Sequence, residues 1–241
     1  MATLTTSFNI IVKTNAQIWD DIAQAVKDGN VRYGETFSLK FTDGTSTVME
    51  VIDVDETTGD AVLVDTNGVD VKFHNEETPS TDISWNNCSG RTYLNGEYLN
   101  KIPSNIRNKI KQKAGKYYKC ANSTTPPGYN GNITEILTIT DTIWIPIYEN
   151  IVENPNANYT PIQGEKTYGR YKDNSSQNRY GYNIGKSWAL ASPVRRIPSS
   201  NTNYANKLYC MMASGNGIST MNGLVVSVNH GLIPHFILPG T

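Results

Sequence analysis

The apolar residues of this chain come in short packets, and the packets that carry its four tryptophans limit what it can fold into. Trp85 opens the run Trp85-Asn86-Asn87-Cys88-Ser89-Gly90-Arg91-Thr92-Tyr93-Leu94. Trp144 sits in Thr142-Ile143-Trp144-Ile145-Pro146, and Trp188 begins Trp188-Ala189-Leu190-Ala191-Ser192-Pro193. Burying one such ring contributes several kcal/mol, so these rings are expected in the core. Runs this short, set among Asn, Thr, Ser and Gly, suit antiparallel strands and ordered turns and fit a long helical bundle poorly. With 241 residues, the chain is one large domain or two small ones, long enough to bury a substantial core.

Thr14 and Gln17 form a T-x-x-Q capping box ahead of Ile18, Trp19, Ile22 and Val26, with Gly29 as the stop, which predicts a short amphipathic helix. Phe37, Leu39 and Phe41 alternate before Asp43-Gly44, and Val48, Glu50 and Ile52 alternate after it, the pattern of a hairpin. A second hairpin is expected from residues 61–64 and 69–73 around Thr66-Asn67-Gly68. Ser89 and Ser104 are expected to cap two short helices. A strand is expected over 136–147, and the last third returns to β at 208–212, 223–228 and 233–238. Residues 150–186, with little apolar periodicity, read as a packed or functional loop. The expected division is 1–80, a helix plus β-meander packed as part of the same unit, and 81–241, the main domain.

The net charge of −1 argues against general nucleic-acid or acidic-membrane binding. No run reaches the length of a membrane span, and the first residues lack the basic and apolar regions of a secretory signal. A virion component, cytoplasmic before assembly and lysis, fits that reading. Cys88, Cys120 and Cys210 have no metal or disulfide spacing and read as buried thiols. His74, His230 and His235 lack the spacing of a metal pair and read as strand-end residues. The acidic turn of Asp53, Asp55, Glu56 and Asp60 lacks the EF-hand pattern, so neither metal nor cofactor is expected. Arg107, Lys109, Lys111, Lys113, Lys116 and Lys119 read as a solvated helix face or a binding patch. Ser192, before a proline, reads as a bend, and Ser214-Gly215-Asn216-Gly217 as a tight β turn. Paired carboxylates for glycoside hydrolysis stay open, because the fold sets their partners. Fourteen tyrosines, many between Tyr148 and Tyr209, lie among Asn, Ser and Gly, which is both the composition of binding loops and that of a loop-rich periphery.

Trp85 with Arg91-Thr92-Tyr93-Leu94-Asn95, then Ile102-Pro103-Ser104-Asn105-Ile106 and Ile110, resembles the GW-x-x-S-x-x-R-x-x-LN … LP-x-x-(L/I)-x-x-x-I pattern of an uncharacterised bacterial and phage domain family. The Trp144 segment is similar to that family's D-K-(L/I)-W strand, the Trp188 segment to its WWLRSP, and 231–238 to its closing G-V-x-P-A-F-x-I. The resemblance implies an α+β, C-type-lectin-like fold: antiparallel sheets, two or three short helices and long ordered loops. It also implies distant similarity to formylglycine-generating enzymes and to the variable proteins of diversity-generating retroelements. Members are common in gut bacteria and their phages, as surface or tail-associated modules. Ala191 replaces the family's arginine, the calcium-dependent sugar-binding triplets are absent, and the catalytic cysteine pair of the formylglycine enzymes has no match. The resemblance implies a non-catalytic module binding a host cell-surface glycan or protein through Tyr180, Tyr182, Asn183, Arg195, Arg196, Asn201, Asn203, Tyr204 and Asn206. Trp85, Arg91, Trp144, Trp188 and Pro193 would be scaffold. Two alternatives stand beside it: a structural tail or baseplate protein contacting only other virion proteins, and a formylglycine-generating-type or glycan-active enzyme. A homo-oligomer is compatible with each.

Overall fold

The computed structural model describes residues 13–73, 84–120, 133–152, 162–172, 188–193, 209–214, 217–225 and 231–240. Within them the chain is α+β, with short helices beside three antiparallel sheets and no closed barrel. Helix α1 (Asn15–Lys27) starts on the expected capping box: the Thr14 hydroxyl accepts from the Gln17 amide and the Gln17 side chain accepts from the Thr14 amide. Its buried stripe is Trp19, Ile22, Ala23 and Val26. The helix closes with two reversed bonds, Gly29 N–H to Val26 O at 3.0 Å and Asn30 N–H to Ala25 O at 2.9 Å. That closure needs a left-handed residue, and Gly29 supplies it at φ 67°.

Strands β1 (Thr36–Lys40) and β2 (Ser46–Val54) form the expected hairpin, with Gly44 at φ 87° in its turn. The faces differ from the expectation. Leu39 stands opposite Thr47 and Phe37 opposite Met49, so Thr47, Met49 and Val51 share the Leu39 face, and Val48 and Glu50 point the other way. A bulge between Val51 and Asp53 then returns Ile52 to the interior, where it is fully buried. Both faces of β2 are covered, which is why simple alternation misassigns it.

Strand β3 (Ala61–Asp65) does not form the second hairpin. It pairs with β2 and with β9 (His235–Leu238), and Val69 makes a lone two-way bridge to Leu232 instead. The first sheet therefore runs β1-β2-β3-β9. On its other edge β9 bridges Lys111 and Trp144, where the Lys111 amide donates to Ile237 O at 3.0 Å and Trp144 exchanges two bonds with His235. β4 (Lys113–Cys120) and β5 (Ile133–Asp141) make a two-stranded ribbon, and β6 (Trp188–Pro193), β7 (Tyr209–Ser214) and β8 (Gly217–Val225) a three-stranded sheet. The strand expected over 136–147 stops at Asp141.

Between β3 and β4 along the chain come α2 (Ser89–Tyr93), a π turn (Leu94–Tyr98), α3 (Leu99–Lys101) and α4 (Ser104–Arg107). The caps sit one residue before the expected serines. Cys88 has the extended backbone a cap requires and its sulfur accepts from the Arg91 amide at 3.2 Å, while Pro103 precedes α4. Ser192 is part of β6 and not a bend, its hydroxyl accepting from the Tyr148 amide at the start of α5 (Tyr148–Ile151) at 2.9 Å. All four tryptophans are buried, and Trp19 reaches both Phe41 and Phe236 with ring centroids 6.2 Å apart.

A Cβ at position 29 would meet nothing within 4 Å, so Gly29→Ala isolates the backbone cost of a left-handed residue. It is expected to lower unfolding free energy by about 1 kcal/mol in a denaturant titration, with no change in slope.

Candidate functional site

All nine residues of the expected binding set lie outside the described residues, as do His74 and His230. What is visible is the frame that carries them. Pro193 pairs with Cys210 and Tyr209 with Val225, so the strand ends flanking 194–208 stand side by side at one end of the three-stranded sheet. Residues 173–187 lead into the opposite end of β6, at Trp188, which pairs with Ala213, three residues along β7 from Cys210 and so about 10 Å away. Tyr180, Tyr182 and Asn183 are thus attached at one end of the sheet, and Arg195 through Asn206 at the other.

The segments expected to be scaffold meet one another directly. The Trp85 indole N–H donates to Asp141 Oδ2 at 2.7 Å, and Arg91 Nε donates to Asp141 Oδ1 at 2.8 Å. One turn on, the Asn95 side chain accepts from the amides of Thr142 and Ile143, both at 3.0 Å, and donates to Ile143 O at 2.8 Å. The Trp-Arg-Asn spacing of the helical segment is therefore a reader of the 141–143 backbone. Gly90 lets α2 approach closely, since a Cβ there would fall 2.5 Å from a Leu232 methyl and 3.2 Å from Lys72 O.

A second polar cluster is built by the strap 162–172, which sequence left as irregular loop. Its Ile162 amide donates to Glu149 Oε1, which also accepts from the Tyr118 hydroxyl at 2.8 Å. Glu165 accepts from the Lys116 amide at 3.0 Å and from Asn150 Nδ2 at 3.3 Å, and lies 3.5 Å from Lys113 Nζ. Lys166 and the Gly169 amide both reach Asp53, and Arg170 pairs with buried Glu50 at 2.6 Å. Lys113 lies over the rings of Trp144 and Tyr168, 5.2 and 5.7 Å from their centroids, and donates to the Tyr168 hydroxyl. Burial pulls the Lys113 ammonium down, but Tyr168 and Glu165 outweigh it and its pKa is raised.

His235 is the first residue of β9, a strand end as expected, but it is wholly buried in the sheet and not on a loop. Its Nδ1 lies 2.8 Å from Ile233 O, which can only accept, so Nδ1 carries the proton. Nε2, 2.9 Å from the Tyr171 hydroxyl, then accepts. Tyr168 stacks on the ring at 6.2 Å. Burial pushes the imidazole pKa down to about 3, the Ile233 bond opposing and nearby Lys113 assisting. Both nitrogens are committed to internal partners, which leaves the ring a structural role.

The basic run forms no patch. Lys109 pairs with Asp20, Lys111 with Asp60, Lys113 with Glu165 and Lys119 with Glu135, on several elements. Nor is the acidic turn simply solvated: Asp53 is buried under the strap and Asp60 also accepts from the Gly240 amide. Among the described residues no three His, Cys, Asp or Glu side chains are grouped as a metal site.

Residues 58–240, three quarters of the chain, match the family described as a domain of unknown function, DUF6273. The chain belongs to that family. The DUF6273 match opens in the turn between β2 and β3, so it takes in β3 and β9 and leaves α1, β1 and β2 outside. No curated protein matches the chain, and no solved structure does.

Two outcomes test the structural roles. Asp141→Ala leaves the Trp85 indole unpaired and Arg91 without its partner, and is expected to destabilise the domain by about 2–3 kcal/mol; Arg91→Ala, at a half-exposed position, by less. His235 stays neutral in the fold while an unfolded histidine takes up a proton below pH 6.5. Its contribution is full above 6.5 and is lost as pH falls toward 3. Asp65, whose carboxyl burial pushes up to about 6, has the opposite sign, gaining stability as pH falls from 6 toward 3.8. The two offset in the intact protein, so the informative quantity is the difference between wild type and His235→Gln. That difference should shrink by up to about 1.4 kcal/mol per pH unit below 6.5. Parallel curves from pH 7 to 5 would show that His235 is not held neutral.

Proposed function

We propose that this DUF6273 domain is a non-catalytic recognition module with a C-type-lectin-like fold. It is carried on a phage tail or another virion surface and binds a host cell-surface glycan or protein. The supporting observation is the register of the three-stranded sheet, in which Pro193↔Cys210 and Tyr209↔Val225 hold both ends of 194–208 together on a sheet backed by the buried core. That stretch contributes Arg195, Arg196, Asn201, Asn203, Tyr204 and Asn206, a mixture of aromatic, amide and guanidinium groups suited to polar ligands. The antiparallel sheets with short helices are compatible with the lectin-like reading. The internal pairing of His235 and Glu149 supports the non-catalytic one. No helix among the described residues is long and apolar enough to cross a membrane.

Labelled protein applied to a panel of gut bacterial strains, with and without chelator, is the test. Selective binding to a few strains is expected, weakened about tenfold or more by Tyr204→Ala or Arg195→Ala. Tyr182→Ala, attached at the other end of β6, reports whether the two stretches form one surface. Binding to purified tails but to no cell would replace recognition with a structural virion role.

A further inference from the structure

We propose that Lys113 and Asn150 are a modification site, joined after folding by an intramolecular isopeptide bond whose formation Glu165 assists. Lys113 Nζ lies 3.5 Å from Glu165 Oε2, and Asn150 Nδ2 donates to the same oxygen at 3.3 Å. The carboxylate thus touches both the amine that attacks and the amide nitrogen that leaves. Asn150 is almost wholly buried, and its carbonyl oxygen already accepts from the Ile147 amide at 3.1 Å. A backbone N–H in that position stabilises the charge that grows on the oxygen when its carbon is attacked. The rings of Trp144 and Tyr168 wall the Lys113 amine, and Glu165 is itself mostly shielded from water. Hydrolysis is therefore disfavoured against attack by the amine.

The step balances without any outside reagent. The ammonium of Lys113 passes one proton to Glu165, and the freed Nζ lone pair adds to Asn150 Cγ. Glu165 returns its proton to Nδ2 as the Cγ–Nδ2 bond breaks. The second Nζ proton leaves through Glu165, and the products are an Nζ–Cγ amide and an ammonium ion. Tyr168 and Glu165 hold Lys113 cationic, so the first proton transfer to Glu165 is uphill, and the reaction depends on the folded arrangement that sets one carboxylate beside both groups. To reach attack, Nζ must leave the Tyr168 hydroxyl and swing from Oε2 to the amide carbon, and Nδ2 must release Lys166 O, to which it also donates at 3.1 Å. The product would tie β4 to α5 across 37 positions of sequence (150 − 113), a cross-link that needs no cysteine and suits a domain exposed outside a cell.

Intact-mass spectrometry of the full chain, incubated folded at neutral pH, decides the matter. The expected result is a species lighter by one ammonia, with a branched peptide joining the stretches around Lys113 and Asn150 on proteolysis. Glu165→Gln and Lys113→Arg are each expected to keep the full mass. Should Glu165→Gln fail to fold, Lys113→Arg, which retains the charge, stands as the control. Full mass in the folded wild type overturns the proposal. A loss of ammonia without the branched peptide overturns it equally, because cyclisation of an asparagine on its own backbone gives the same mass. Binding to bacterial cells is a separate readout, so failure here leaves the recognition reading untouched.

Discussion

Strand β9 is hydrogen-bonded along both edges, and the rest of the domain depends on that. On one side it closes the β1-β2-β3 meander, and on the other it holds Lys111 and Trp144, the residues that lead into and follow the β4–β5 ribbon. His235 stands at the crossing, paired through its backbone to Val64 and Trp144 and through its ring to Tyr171 and Ile233. A charged ring there would keep its bond to Ile233, but it would lose the lone pair that accepts from Tyr171 and place a desolvated cation close to Lys113. Keeping it neutral is a condition of the assembly.

The strap at 162–172 packs against β2, β4 and α5, sinking Ile162, Tyr168 and Tyr171 into the core and meeting its neighbours through charged groups as well. Glu50, Asp53, Glu149 and Glu165 are all largely buried and each has a partner. Ion pairs in such positions add little net stability compared with apolar packing, but losing one partner is costly because the other charge remains desolvated. The strap is therefore specified more sharply than it is strengthened. The bulge in β2 serves the same arrangement by returning Ile52 to the core while Asp53 meets the strap.

The parts of the fold that local chemistry dictates were legible in the sequence. The capping box of α1, the Asp43-Gly44 hairpin and the burial of the tryptophans depend on near neighbours or on hydrophobicity alone. What sequence missed depends on distant partners. Nothing within ten residues of Ala61 says that β3 will pair with β9, and nothing near Glu50 announces Arg170. Cys88 as a helix cap went unread because serine next to it is the commoner choice. Arg91 and Asn95 were recognised as a pattern, but their target at 141–143 needed the structure. His235, read as a strand-end residue, does open a strand, but its burial was not legible because nothing near it shows that this strand pairs on both sides. The charged partners of the strap were equally invisible: Glu165 and Lys113 are 52 positions apart (165 − 113).

The pairing of β3 with β9 spans most of the chain, and this has a bearing on how the domain is made. The first sheet opens at Thr36, yet its last edge cannot be filled until Leu238 has left the ribosome. Until β9 has been made, β3 presents an unpaired apolar edge of Ala61-Val62-Leu63-Val64 to its surroundings, the kind of strand that finds the wrong partner readily. Final closure is then a late, long-range event, slow by comparison with the local hairpin that precedes it. A nascent chain of this design would gain most from protection of that one short edge until β9 is added.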